Sequence, residues 1–238
     1  MYDKTEAGDG IKVKNAQWNF SDAVDKFDTH VRKSIPLYDL GQEYIASLSA
    51  FFMREGARIY EIGCSTGELS SKVLGHNPDK KVEYIAIDAV EEMVEEAKKK
   101  LESDSRAKVI LADAVTHKYK PCSLFLSYYT IQFIEPCVRQ DLINKIYDSL
   151  EWGGAAIIYE KVRGPDARFQ DILTQLYTDY KLKQGFTESE IVHKTRSLKG
   201  VLEPFSTDGN LGLLKRAGFV DIMTIQRYLC FEGYLCIK

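Results

Sequence analysis

The sequence predicts an α/β fold, a seven-stranded and mostly parallel sheet of Rossmann-like type with helices between its strands. Three observations carry that prediction. From Arg58 to Glu160 short apolar runs alternate with helical stretches, the pattern of strands joined by crossover helices. The run Ile59-Tyr-Glu-Ile-Gly-Cys-Ser-Thr-Gly67 reads as a strand, a sharp turn and a helix start, and Gly63 and Gly67 allow that turn unusual dihedrals. Tyr84-Ile-Ala-Ile-Asp88 then ends a second strand in an acid about twenty residues further on. Free N–H groups at the helix start and a carboxylate able to accept from two ribose hydroxyls describe a nucleoside site at a sheet edge.

Taken in order, residues 1–17 are polar and are expected to be loosely held. From Trp18 to Phe52 the apolar residues Phe20, Val24, Phe27, Tyr44, Ile45, Leu48, Phe51 and Phe52 fall at helical spacing, broken at Ser34-Ile-Pro-Leu-Tyr38. Residues 18–52 therefore read as a helical cap. Strand Arg58–Ile62 leads to helix Glu68–Gly75, strand Lys81–Ile87 to helix Glu91–Glu102, and strand Ala107–Ala112 to Asp113. Strand Ser123–Ser127 precedes helix Val138–Leu150, and Trp152-Gly153-Gly154 reads as a turn before strand Ala155–Glu160. The alternation then stops, and residues 164–205 read as a helical insertion. A helix at Asn210–Ala217 and strands Val220–Arg227 and Phe231–Ile237 close the pattern, with a bulge marked at Glu232-Gly233. No repeat or long linker divides the chain, so one domain over residues 1–238 is expected.

Composition narrows the function. Hydrophobic residues make up 45% and charged residues 28%, ordinary values for a soluble globular protein. A net charge of −3 offers no basic footprint, so no direct nucleic-acid partner is expected. No run approaches the roughly 18 apolar residues of a membrane span, and the polar start does not read as a signal peptide. No membrane partner and a cytoplasmic location are the expectations. The five cysteines form no C-x-x-C pair and read as reduced thiols; Cys64, inside the turn, reads as a small packed side chain before a nucleophile. The four histidines lack metal-ligand spacing, so no metal is expected.

The ligand is narrowed by charge. A dinucleotide fingerprint needs a second glycine where Ser65 stands, and Glu61 sets a negative charge where phosphates would be repelled. A carboxylate there suits a cationic ligand such as the amino group of S-adenosyl-L-methionine (SAM). Asp113, ending the third strand, supplies an acceptor for an adenine amine, or closes a turn as Asp commonly does. Tyr128-Tyr-Thr-Ile-Gln-Phe-Ile-Glu-Pro136 lies where a methyl-bearing sulfur would meet its acceptor, or packs as an aromatic strand end on the cap.

Together these features resemble class I SAM-dependent methyltransferases. The runs Phe27…Val31-Arg-Lys-Ser-Ile-Pro-Leu-Tyr38, Gly63-Cys-Ser65, Thr130-Ile-Gln-Phe-Ile-Glu-Pro136, Ile143-Asn-Lys-Ile-Tyr147 and Tyr159-Glu-Lys161 are similar to the carboxy-S-adenosyl-L-methionine synthase family. So are Tyr180-Lys181, Glu190-Ile191, Lys194, Val201-Leu202, Ala217-Gly-Phe219 and Ile237-Lys238. The resemblance spans about residues 18–238, insertion included. It implies a homodimer and an enzyme making carboxy-SAM from SAM and prephenate, for wobble-uridine modification of tRNA by a partner enzyme. It also implies SAM contacts at Tyr38, Gly63, Cys64, Ser65, Asp88, Ala89, Asp113, Ala114 and Tyr128, which Glu61 joins on the charge argument.

Two positions depart from the family. Tyr128 stands where the family has Asn, and Thr195 where it has Arg. A guanidinium holds a carboxylate bidentately and a threonine cannot. Arg196 is one position on, about 100° around a helix. The expected function is therefore methyl transfer to a small-molecule acceptor. Tyr128, Tyr129, His193 and Arg196 are the catalytic candidates, with Tyr38 and Gln132 beside them. Two alternatives stand: a carboxy-SAM synthase using Arg196 for the missing Arg, and a non-catalytic SAM-binding protein.

Overall fold

The computed structural model describes residues 5–6, 12–13 and 26–238. Two short strands, β1 (Thr5–Glu6) and β2 (Lys12–Val13), pair antiparallel. The rest of the segment expected to be loose, and Trp18, Phe20 and Val24 of the expected cap, lie outside the described residues. The described cap consists of α1 (Phe27–Ser34) and α2 (Tyr38–Ser49). Pro36 separates them, with Ile35 extended and Leu37 left-handed at φ 59°.

The expected alternation follows. β3 (Arg58–Ile62), α3 (Glu68–His76), β4 (Glu83–Asp88), α4 (Glu91–Leu101) and β5 (Ala107–Leu111) build one half of the sheet. β6 (Cys122–Tyr128), α5 (Arg139–Ser149) and β7 (Leu150–Lys161) begin the other. The insertion forms α6 (Ala167–Lys183) and α7 (Glu188–Ser197), and α8 (Thr207–Ala217), β8 (Asp221–Tyr228) and β9 (Phe231–Ile237) complete the element order. The strand order is β5-β4-β3-β6-β7-β9-β8; the pairs through β7 are parallel, and β9 runs antiparallel to both its neighbours.

Strand alternation divides the apolar residues between two faces. Ile59, Tyr84 and Leu124 meet α2, α3 and α4 through Ile45, Leu69, Val73 and Ala97. Tyr60, Ile85 and Phe125 meet α5 and α8 through Leu142, Ile146, Leu213 and Leu214. Both faces are covered, which is why the central strands read as nearly continuous apolar runs.

Two local expectations need correction. Trp152-Gly153-Gly154 lies within β7, where the register jumps between the Cys122–Leu150 and Leu124–Ala155 pairs. The bulge expected at Glu232-Gly233 is in the facing strand, between Thr224 and Gln226 of β8. Gly233 has another cause: a Cβ there would stand 2.5 Å from the Tyr159 ring. Among the described residues no helix is long and apolar enough to cross a membrane.

Candidate active site

After β5 the chain crosses back to β6 on the far side of β3, so the connections leaving β3 and β6 diverge. Sheets of this kind bind ligands in the crevice such a switch opens at the carboxyl ends of the strands. Here the loops after β3, β4, β5 and β6 line one cavity of about 980 Å³, which α1, Tyr38, α6 and α7 also border.

The turn after β3 is stitched to the end of β4. The N–H groups of Gly63 and Cys64 donate to the Ile87 carbonyl at 2.7 and 3.1 Å. Asp88 accepts from the Ser65 N–H at 2.8 Å and, on its other oxygen, from the Val90 N–H at 3.0 Å. Gly63, Ser65 and Gly67 take positive φ of 67°, 51° and 78°. The glycine requirement at Gly63 is partly internal, since a Cβ would stand 2.2 Å from Thr130 Oγ1. Thr130 itself donates to the Ile62 carbonyl at 3.1 Å, tying β6 to the turn. Gly67 begins α3 without a capping side chain.

Three acids sit at three adjacent strand ends. Glu61 is only 2% exposed, and its Oε2 accepts from Ser70 Oγ and Tyr84 Oη, each at 2.5 Å. Burial outweighs both hydroxyls and pushes its carboxyl up to about 7. Asp88 is also raised by burial, against the backbone N–H groups that favour its charge. Asp113 is exposed, and its Oδ1 accepts from the Val115 and Thr116 N–H groups at 2.6 and 3.1 Å, the turn-closing role open to it in sequence. Ala89 and Ala114 also line the cavity. Cys64 is buried and its thiol pushed well up, so it stays protonated and packed.

Opposite the acids stands an aromatic wall. Tyr128 Oη donates to the Tyr38 carbonyl at 2.6 Å, and the two rings lie 5.0 Å apart. That bond needs Gly41 of α2, where a Cβ would meet the Tyr128 hydroxyl at 2.5 Å. Tyr129 holds φ 60°, and its buried hydroxyl has no hydrogen-bond partner. Gln132 lines the cavity but accepts the Lys161 N–H at 2.7 Å, while its carbonyl binds Arg139 and the Glu203 N–H. Gln42 Oε1 is a second buried atom of the cavity lining without a partner.

The insertion departs most from the expected site. Lys194 and Thr195 line the cavity; His193 and Arg196 do not. Neighbouring residues on a helix point about 100° apart, and Arg196 falls on the exposed side of α7. His193 meets Ser189 Oγ at 3.5 Å on its own helix. Thr195 Oγ1 bonds back to the Ile191 carbonyl at 2.7 Å, and Lys194 contacts His30 and Ser34.

Several residues of the site carried no role in sequence. Lys161 and Lys181 both reach the cavity, visible beforehand only as charges within the family-like runs. The cap is strapped down by side chains far apart in the chain. Arg32 pairs with Asp39 at 3.0 Å and Glu68 at 3.1 Å, Lys100 pairs with Glu68, and Thr66 Oγ1 donates to Asp28 at 2.7 Å. Among the described residues no cluster of three or more His, Cys, Asp or Glu is arranged to hold a metal.

A family model described as "Methyltransferase domain" matches residues 59–154. Carboxy-S-adenosyl-L-methionine synthase of Staphylococcus epidermidis is 35% identical over 227 residues, covering 93% of this chain and 97% of the relative. The protein of the same name from Wolinella succinogenes is 35% identical over 225 residues, covering 93% and 94%. Solved structures share the fold at lower identity. The CurJ carbon methyltransferase superposes with TM-score 0.67 at 14% identity, covering 92% of this chain and 61% of its own. Phosphoethanolamine N-methyltransferase 2 of Haemonchus contortus, in complex with S-adenosyl-L-methionine, gives 0.63 at 15%, covering 95% and 61%.

Proposed function

The chain belongs to the carboxy-S-adenosyl-L-methionine synthase family, and we propose that it is a SAM-dependent transferase moving a methyl group to a small-molecule acceptor. The observation that carries this reading is the line of Glu61, Asp88 and Asp113 across the ends of β3, β4 and β5 in one cavity with Tyr128 and Tyr129. The residues fit the cofactor. Buried Glu61 and the partnerless Gln42 Oε1 offer acceptors to an ammonium, Asp88 keeps lone pairs for a ribose, and Asp113 Oδ2 faces no donor among the described residues. The cofactor, once bound, supplies a methyl group activated by a sulfonium.

The chain's own residues then work by position. The turn at Gly63–Gly67 and Asp88 fix the nucleoside end, and α1 with Tyr38 covers it and excludes water. Tyr128 shapes the wall while its hydroxyl stays on the Tyr38 carbonyl. Tyr129 keeps a protonated hydroxyl, raised by burial, beside the acceptor's half of the cavity. Methyl over carboxymethyl chemistry is supported by Thr195 at the cavity and Arg196 outside it.

One observation favours a second reading, carboxy-SAM synthesis from SAM and prephenate. Lys194 places a cation at the cavity one position before Thr195. Incubation with SAM and prephenate, then with SAM and a pool of small acceptors, separates the two by mass. Carboxy-SAM in the first reaction replaces the methyl reading, and S-adenosylhomocysteine appearing only with acceptors supports it. Tight SAM binding with neither product identifies a binding protein.

A homodimer and a cytoplasmic location belong to the same proposal. Phe169, Ile172 and Leu176 form a half-exposed stripe along α6 at helical spacing, suited to a second copy. The five cysteines form no disulfide, in keeping with a reducing compartment. A monomer by light scattering would overturn the dimer.

A further inference from the structure

Side chains of α1, α2, α3, α4 and the glycine-bearing turn form an unbroken belt that crosses α1 twice. Lys72 of α3 donates to Asp39 of α2 at 3.2 Å, and Asp39 accepts from Arg32 of α1 at 3.0 Å. Arg32 reaches on to Glu68 at the start of α3, at 3.1 Å, and Glu68 pairs with Lys100 of α4. Lys100 returns to α1 at Asp28, 3.4 Å away, and Asp28 accepts the Thr66 hydroxyl of the turn at 2.7 Å. The charges alternate in sign from Lys72 to Asp28, so each interior ion has an opposite charge on both sides. An isolated exposed ion pair contributes little, whereas a connected network of this kind can hold an element in place.

The belt matters to α1 because little else secures its amino-terminal half. Its apolar residues, Phe27 and Val31, belong to neither core among the described residues; both border the cavity instead. Ile35, in the turn that follows, is the first to pack on the core. At its carboxyl end α1 is anchored, since Tyr177 Oη donates to the Ser34 carbonyl at 2.9 Å and Lys194 contacts His30 and Ser34. Nearer its start, Asp28 and Arg32 carry the ties to α3 and α4. The turn between α1 and α2 combines the fixed φ of Pro36 with a left-handed φ of 59° at Leu37, which persists only under constraint from its surroundings. A segment with few buried apolar contacts opens before the rest of a fold does.

We infer that α1 is a lid over the cofactor half of the cavity, hinged at Ile35–Leu37 and latched by this ion belt, and that the latch sets the rate of cofactor exchange. This rests on the reading that the half beneath it holds SAM. The latch closes on the glycine-bearing turn itself, through Asp28 and Thr66, so the lid lifts only when the contacts of both Asp28 and Arg32 break. Neither Arg32 nor Lys100 lines the cavity, so an effect of either on the cofactor travels through the belt. The belt is electrostatic and half-exposed, so salt loosens it and leaves the apolar core untouched.

Hydrogen exchange on the unliganded full chain tests the latch. The double variant Arg32→Met, Lys100→Met keeps the apolar stems; in it α1 amides should exchange at least about fivefold faster, and α2 amides less than about twofold faster. Raising sodium chloride from about 0.05 M to about 1 M should quicken α1 exchange about threefold in the wild type and hardly at all in the double variant. Dissociation of labelled SAM, chased with excess unlabelled SAM, should quicken in the double variant by a factor similar to that of α1 exchange. Lys98→Met, which cuts the pair with Glu95 outside the belt, should change neither rate. Unchanged α1 exchange in the double variant, or equal quickening in α1 and α2, overturns the latch. Quickened α1 exchange with an unchanged SAM dissociation rate overturns the gate. Absence of SAM binding to the wild type would sink the proposed function, while the exchange comparison, read without ligand, still decides whether the belt latches α1.

Discussion

The glycine-turn wall and the aromatic–lysine wall face each other across one cavity, yet they are assembled in different ways. The first comes from two neighbouring strand ends, with Gly63, Cys64 and Ser65 bonded directly to Ile87 and Asp88. The second draws Tyr129 from the loop after β6, Lys161 from β7, Lys181 from α6 and Phe231 from β9. A wall made of local backbone geometry leaves a spacing in the sequence. A wall made of long-range packing leaves only residue types scattered along it. Under the proposed function the two walls have separate roles: the local wall would hold the cofactor, and the assembled wall would face the acceptor.

The largest effect should come from the local wall. Gly63→Ala puts a Cβ against Thr130 at a left-handed backbone position, so SAM binding should be lost and Tm should fall by several degrees. Adding Thr130→Ala relieves the clash but not the backbone strain, and should recover Tm only in part. Full recovery would show that the turn needs no glycine conformation. Asp88→Ala comes next. It removes the acceptor of two backbone N–H groups as well as the proposed ribose contact, and should weaken SAM by about 100-fold or more in a calorimetric titration.

Ligand binding at the glycine-turn wall should also titrate. Glu61, raised to about 7, must be ionised to attract an ammonium, so SAM affinity should rise about tenfold between pH 6 and pH 8. Glu61→Gln should flatten that profile. In the unliganded protein the same shift acts on stability. The unfolded chain ionises first, so stability declines as pH rises from the ordinary carboxylate range to about 7, then levels.

The smallest effect belongs to the residue on which the sequence argument leaned for chemistry. Arg196→Ala should change SAM affinity by less than about twofold, because Arg196 stands outside the cavity. A larger loss would bring α7 into the site in another arrangement.

Much of the fold was legible because strand and helix periods are local properties. Arg58–Ile62 and Phe231–Ile237 were readable to the residue, and the break at Pro36 followed from its fixed φ. The Gly233 bulge was misplaced because a glycine in a strand looks the same whether it bends the chain or makes room for a ring such as Tyr159. Glu61, Asp88 and Asp113 were legible through their places at strand ends. Lys161 and Lys181 were not, because a lysine's role depends on which ring and which counterion meet it after folding. His193 and Arg196 misled for a related reason: helical phase decides which of four consecutive residues faces inward, and sequence leaves that phase free.

Gly41 and Tyr128 set a constraint on history as well as on packing. Any side chain at position 41 collides with the phenol that reaches the Tyr38 carbonyl, whereas a shorter residue at 128 is indifferent to what stands at 41. Glycine within α2 carries a helix penalty of about 1 kcal/mol, and what it admits is the Tyr128 phenol beside the helix. The passable route to this wall therefore changes position 41 before position 128, and the return route runs in reverse order. Once both are in place, changing position 41 first meets a steric collision and changing position 128 first leaves a gap, so the order of the steps is fixed in both directions.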